Sequence, residues 1–311
     1  MYTDLCTMDI LLGKWLRKLR LTLGVEFALA YGLLFPLAVV LIGLLAYPIA
    51  SAIGITLQDK KIGLPGKFIG LQNYYELLID DPVFWLVVQN SVIFTVCSVA
   101  FKATFGMVMA LVLNRPIAFR GFFRGLLLMP YAAPAVAVVL GWRWILDLMG
   151  VLNYILVNVG AIKLPVPWLA QFGTAMFSLV FVNAWRGIPF FGVTLLAGLQ
   201  TIPADLYEAA EVDGASAWQL FWKITLPLIR PVLLVVTVLS VIWTFNDFSV
   251  VWLLTRGGPI HATEVFSTYT YKQGFELSNL GYGQAISVII SPLLVLVILA
   301  VSPLMLKGER D

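Results

Sequence analysis

The sequence predicts an all-α polytopic membrane protein with about six transmembrane helices. Three observations carry this. Hydrophobic residues make up 60% of the 311 residues and charged residues only 12%, too little charge to cover a soluble domain of that size. Mean hydropathy is +0.93. Six stretches are apolar over the roughly 20 residues that a helix needs to cross a bilayer, at about 25–50, 86–113, 126–148, 172–198, 231–254 and 282–306. They must be helices, because lipid offers backbone N–H and C=O groups no partner.

The first stretch runs from Val25 past Tyr47. It exceeds the h-region of a signal peptide and is expected to stay as a membrane anchor behind a cytoplasmic segment, 1–24. Pro36, Pro134, Pro189 and Pro292 lie inside the spans, where prolines are tolerated and often mark kinks. Expected outer loops hold Asn73-Tyr74-Tyr75, Pro165-Val166-Pro167-Trp168 and Gly257-Gly258-Pro259, with tyrosine and tryptophan suited to an interfacial belt. Placing both termini in the cytoplasm puts Lys14, Arg17, Lys18, Arg20, Arg115, Arg120, Arg124, Lys223, Arg230, Lys307 and Arg310 on the inner side. Only Lys60, Lys61, Lys67, Lys163, Arg256 and Lys272 then face outward. That bias favours termini inside. The chain reads as one domain, 1–311.

Several functions find no support in composition. The net charge of +3 is small, and no nucleic-acid partner is expected. Cys6 and Cys97 lie far apart, without disulfide or metal spacing. His261 is the single histidine; it reads as a loop residue, and no metal site or catalytic residue is expected. Gly66-Lys67 is followed by Phe68 with no GxxxxGK[ST] around it, so the chain has no Walker A loop to cradle phosphate.

The loop between the fourth and fifth stretches, 202–231, is patterned. Pro203 suits a first helical turn and Asp205 the positive end of that helix. Leu206, Ala209 and Ala210 give an apolar stripe. Gly214 is placed to end the helix at positive φ. Ser216 and Gln219 have capping-box spacing for a second helix, which Leu220, Phe221 and Ile224 continue toward Pro227 and Pro231. The pattern is helix, glycine turn, helix on the cytoplasmic face, with Glu208, Glu211 and Asp213 as its acids. An interfacial amphipathic helix is the plainer reading of that pattern.

Glu208-Ala209-Ala210, Asp213-Gly214-Ala215, Phe221, Leu226-Pro227-Leu228 and Pro231 resemble the EAA loop of binding-protein-dependent ABC importer permeases. Phe68-Ile69-Gly70-Leu71-Gln72-Asn73-Tyr74, Met129-Pro130-Tyr131-Ala132-Ala133-Pro134 and Leu254-Thr255-Arg256-Gly257-Gly258-Pro259, with Thr263 beyond it, resemble the carbohydrate, maltose-permease-like branch. The resemblance runs from about residue 25 to the end, with a permease core at 86–306. The extra N-terminal helices and large outer domain of some maltose permeases are not expected here. The resemblance implies that Glu208, Ala209, Ala210, Asp213, Gly214 and Phe221 dock on an ATPase subunit. It also implies the partners: a second permease subunit in a heterodimer, two cytoplasmic ATPases that bind ATP-Mg, an extracytoplasmic solute-binding protein, and membrane lipid. The setting is the prokaryotic cytoplasmic membrane. No cofactor is expected on this chain.

Charges inside the spans point to the pathway, because each costs about 2.5–3.5 kcal/mol at mid-membrane. They are Lys102, Arg143, Asp147, Arg186 and Asp247. Arg143 and Asp147, four apart, are expected to pair; Lys102 snorkels or pairs, without an assigned role. Polar and aromatic groups cluster at 183–190 and 240–248. Such a mixture binds sugars, amides and carboxylates taking hydroxyls and rings stacking on apolar faces. Helix–helix hydrogen bonding accounts for the same residues. By resemblance, Tyr131, Ala135, Asn183, Arg186, Gly187, Phe190, Ser240, Trp243, Thr244 and Asp247 line a mid-membrane substrate pocket. Ala135, Arg186, Thr244 and Asp247 depart from the maltose-permease residues, which leaves another glycan, a polyol or a sugar phosphate open. An ion-coupled secondary transporter would favour coupling carboxylates and an inverted repeat. A membrane-embedded enzyme would need a catalytic constellation on one face. Neither is found in the sequence.

Overall fold

The computed structural model describes residues 27, 29–116 and 119–307. Segment 1–24, with Cys6 and the basic residues Lys14 to Arg20, lies outside the described residues, as does Arg310. The chain divides into two compact units, Met1–Gly54 and Ile55–Asp311. Helix α1, Leu29–Thr56, begins in the first. Its 28 residues span about 42 Å at 1.5 Å per residue, enough for a hydrocarbon core of about 30 Å.

The second unit opens with a small hairpin. β1 (Gln58–Asp59) pairs antiparallel with β2 (Lys67–Phe68), Gln58 opposite Phe68. Helix α2 (Gln72–Tyr75) follows and continues as a π-turn over Glu76–Asp80. Asn73 is buried. Its Nδ2 donates to the carbonyls of Thr56 at 2.7 Å and Gln58 at 3.1 Å, and Tyr74 donates to Thr56 Oγ1 at 2.9 Å. Asn73 thus clips the turn together.

Helix α3 is Pro82–Asn114. Asp81 caps it, Oδ1 accepting from Val83 N at 2.9 Å, and Pro82 needs no partner at the first position. The third expected stretch, 126–148, is not one straight helix. It forms α4 (Arg120–Ala132) and α5 (Ala135–Ile145), bent by 90°. Pro134 has no N–H and pushes Ala133 to extended backbone, ψ 146°, which ends α4. Because α5 stops at Ile145, Asp147 leaves the helix, and the expected Arg143–Asp147 pair does not form. Arg143 donates to Leu253 O at 3.1 Å and Asp147 accepts from Met149 N at 3.0 Å.

After α6 (Val151–Asn158) comes α7, Thr174–Leu199. Pro189 lies inside α7 without interrupting it. Helix α8 is Ala204–Val212. Helix α9 runs Ala217–Phe245 through a π-turn at Phe221–Thr225. The fifth expected stretch, 231–254, therefore breaks after Phe245 and resumes as α10, Ser249–Leu254. Helix α11 (Phe266–Tyr271) leads through a π-turn to α12, Leu280–Lys307. Among the described residues α1, α3, α7 and α9 are each long and apolar enough to cross a membrane, and the bent pair α4–α5, a broken span or a re-entrant loop, brings the number to at most five. The sixth expected stretch is helical along its length.

Helices α3 and α7 form the main seam. A Cβ at Gly106 would lie 2.3 Å from Phe191 Cβ, and one at Gly192 2.6 Å from Met109 Sδ. Small residues allow this approach where lipid supplies no hydrophobic drive between helices. Phe191, Leu195, Leu113 and Ile229 fill the core where α9 joins the seam. At the other end Phe94, Leu179, Val182 and Val250 form a second core. A third joins Leu77, Phe84, Phe245 and Ile286.

Candidate functional site

Polar groups of α7 and α9 meet where α9 breaks. Asn183, Arg186, Gly187 and Phe190 are spaced three and four apart on α7, so they share a face. Ser240, Trp243, Thr244 and Asp247 repeat that spacing along α9 and past its end. Asp247 holds the junction. Its Oδ2 accepts from Asn183 Nδ2 at 2.8 Å and from Arg186 at 3.3 Å. Its Oδ1 accepts from Val250 N at 3.2 Å, within the first turn of α10. Its carbonyl takes Ser267 Oγ at 3.2 Å. A buried carboxylate is tolerated when paired and hydrogen-bonded this fully.

Beside this junction lies a cavity of about 70 Å³, lined by Lys102, Tyr131, Asn183, Arg186, Gly187, Phe190, Ser240, Trp243 and Thr244. Eight of the ten residues expected in a pocket are thus brought together by α4, α7 and α9. Asp247 stands behind that lining, holding Asn183 and Arg186. Ala135, the first residue of α5, is not in it. Lys102, left without a role by sequence, is: its Nζ donates to Thr244 Oγ1 at 2.8 Å. A cation in the middle of an apolar run was the signal. Tyr131 stacks on Phe190 with ring centroids 5.8 Å apart, and Phe190 meets Trp243 at 5.1 Å. The arrangement offers hydrogen-bond donors and a hydroxyl beside an aromatic wall, the chemistry that holds a polyhydroxylated ring.

The patterned loop folds as its spacing predicts. Gly214 has φ +81°, and Ala215 N donates to Ala210 O at 2.9 Å, closing α8. Ser216 and Gln219 form the capping box that starts α9. Glu208, Ala209, Asp213 and Gly214 are exposed, while Ala210 and Phe221 are half-buried. Tyr207 OH lies 3.0 Å from Thr225 Oγ1, tying α8 to α9. Pro203 precedes α8 as its cap rather than entering its first turn.

Two polar clusters escaped the sequence reading. His261 Nδ1 lies 3.2 Å from Glu264 Oε2, which also takes Lys272 Nζ at 2.6 Å. Tyr269 and Tyr282 both donate to Asp81 Oδ2. Burial, and then the Asp81 carboxylate, push the Tyr269 phenol above its ordinary range. The two Asp81 contacts link residues 188 and 201 positions apart, which no local spacing reveals.

A bundle of apolar helices around a polar, aromatic-walled cavity, with an ordered amphipathic loop between two spans, defines a membrane transport subunit. Residues 102–306 match the family described as binding-protein-dependent transport system inner membrane component, and the chain belongs to that family. It is 36% identical over 266 residues to the trehalose/maltose transport system permease protein MalF of Thermococcus litoralis, covering 85% of this chain and 89% of that protein. It is 33% identical over 281 residues to the sulfoquinovosyl glycerol transport system permease protein SmoG of Agrobacterium fabrum, covering 89% of each. Its fold is similar to a chain of a bacterial ABC transporter involved in import of the acidic polysaccharide alginate. The TM-score is 0.76 at 24% identity, over 90% of this chain and 95% of that one.

Proposed function

We propose that this chain is one of two permease subunits of an ATP-driven, binding-protein-dependent importer and that its mid-bundle cavity forms one wall of a sugar pathway. The observation that carries this is the cluster of Asn183, Arg186 and Asp247 beside the Tyr131–Phe190–Trp243 wall. At about 70 Å³ the cavity is well below the ~300–1,000 Å³ of a small-molecule site, so a second subunit completes it. The trehalose/maltose and sulfoquinovosyl glycerol relatives support a sugar.

In this reading the chain crosses the prokaryotic cytoplasmic membrane six times, with both termini in the cytoplasm, and acts as one permease domain with its core at 86–306. Loop 202–231 docks on the ATPase through Glu208, Ala209, Ala210, Asp213, Gly214 and Phe221. ATP-Mg binds the two ATPase subunits, and the permease itself makes and breaks no bond. A solute-binding protein delivers the sugar from outside. The test is a binding screen of the cognate binding protein against maltose, trehalose, glucuronate and a set of amino acids. Sugar binding should come with ATP-dependent uptake into proteoliposomes that requires this chain. A binding protein that takes amino acids and no sugar overturns the sugar reading.

A further inference from the structure

Lys102 sits in the middle of α3, 6% exposed. Its ammonium has three donors, and Thr244 Oγ1 takes one. Among the described residues no carboxylate forms an ion pair with it. Asp247, the acid of the cluster, is already taken by Arg186, Asn183 and the amide of Val250. A cation that touches no carboxylate, and that Asp247 reaches only at longer range while bound to Arg186, is costly inside a membrane protein and marks a pathway by default. The lysine does not snorkel to the end of its helix; it forms part of the cavity wall. The opposite helix is cut away for it: a Cβ at Gly187 would lie 2.6 Å from Lys102 Cε. A pin between α3 and α9 alone would need one donor and no charge.

We propose that Lys102 faces the translocation pathway, where its two spare ammonium hydrogens donate to oxygen atoms of the transported sugar. The identity of the ligand rests on the sugar reading above; the placement of Lys102 in the pathway does not. Thr244 orients the ammonium from one side, and Gly187 gives the stem its room.

The test is cysteine reactivity in the assembled transporter, in a Cys6→Ser, Cys97→Ser background. Lys102→Cys should react with methanethiosulfonate-ethylammonium at least ten-fold faster than the fully buried control Leu195→Cys, in either the nucleotide-free or the vanadate-trapped state. Rates equal to the control in both states overturn the proposal. Ser240→Cys covers the case in which Lys102→Cys fails to assemble. It should prefer an anionic methanethiosulfonate over a cationic one, relative to free cysteine. Lys102→Gln should reduce that preference at least three-fold and Lys102→Arg should restore it; an unchanged preference in Lys102→Gln overturns the proposal. Maltose, trehalose and glucuronate are then supplied with the binding protein. Slowing of the Lys102→Cys reaction by maltose or trehalose assigns hydroxyls as the acceptors, and slowing by glucuronate alone assigns a carboxylate. Slowing by none, while the binding protein holds one of them, removes the contact. A binding protein that holds none of the three counts against the sugar reading and leaves the reactivity result standing.

Discussion

Arg186 and Asp247 meet at 3.3 Å across the gap between α7 and the end of α9, with Asn183 donating to the same carboxylate oxygen at 2.8 Å. The contact joins an unbroken helix to a broken one, at the residue whose N–H makes the closing bond of α9, Asp247 N to Thr244 O at 3.1 Å.

Removing that carboxylate should harm assembly first. Asp247→Ala leaves Arg186 facing Lys102 without a counter-charge and frees the first turn of α10. Breaking a buried pair costs about 3–5 kcal/mol; Arg186 is a quarter exposed, so the lower end is expected. Gel filtration should show loss of the monodisperse complex, and the double variant Arg186→Ala/Asp247→Ala should recover part of it. An Asp247→Ala complex with unchanged thermal stability and uptake sinks both the structural and the pathway role.

Gly214 gives a cleaner test of the loop. Nothing lies within 4 Å of a Cβ built there, so a larger side chain meets no steric clash outside its own backbone. The φ of +81° is then the whole penalty, about 1–3 kcal/mol for a β-branched residue. Gly214→Val should insert and fold while transport falls, read by membrane yield beside ATP-driven uptake. Normal uptake and normal stimulated ATPase activity would remove the loop from coupling.

Tyr269 predicts an alkaline limit. Its folded pKa lies above the ordinary tyrosine value of about 10. The stability this contributes is fully present below pH 10 and is lost as pH rises toward the folded value, because the unfolded chain gives up the proton first. The slope is about 1.4 kcal/mol per pH unit for one proton. Thermal melts of the purified complex between pH 9 and 11 should fall in that window, and Tyr269→Phe should flatten the fall. A variant with an unchanged slope refutes the assignment.

Topology is open to direct measurement. Reporter fusions after Arg20 and after Lys307 should both read as cytoplasmic. An extracytoplasmic signal from either one contradicts the orientation drawn from lysine and arginine placement.

The loop was legible because helix caps and turns are local. Gly214, Ser216 and Gln219 declare a turn and a cap by spacing. Asn183, Arg186, Gly187 and Phe190, by contrast, were expected in a pocket from the family resemblance, and their three- and four-residue spacing is what sets them on one face of α7. What distance along the chain separates was not legible. Lys102 needed Thr244, 142 positions away, to acquire a place. The Arg143–Asp147 spacing misled because it assumed a helix that ends at Ile145. The stretch 126–148 misled because hydropathy does not register direction: Pro134 turns the chain through 90° without lowering its apolar content.

The seam of Gly106 and Gly192 sets the register of α3 against α7. A slide of one turn would bring Lys102 or Ala110 to the place where only a hydrogen atom fits beside Phe191. The two helices are therefore interlocked against sliding past one another at this seam. Of the cavity's remaining walls, α4 ends at the Pro134 bend and α9 at the break after Phe245. The cavity is thus walled by one interlocked pair of helices, α3 and α7, and by two segments that each stop at a break in the chain.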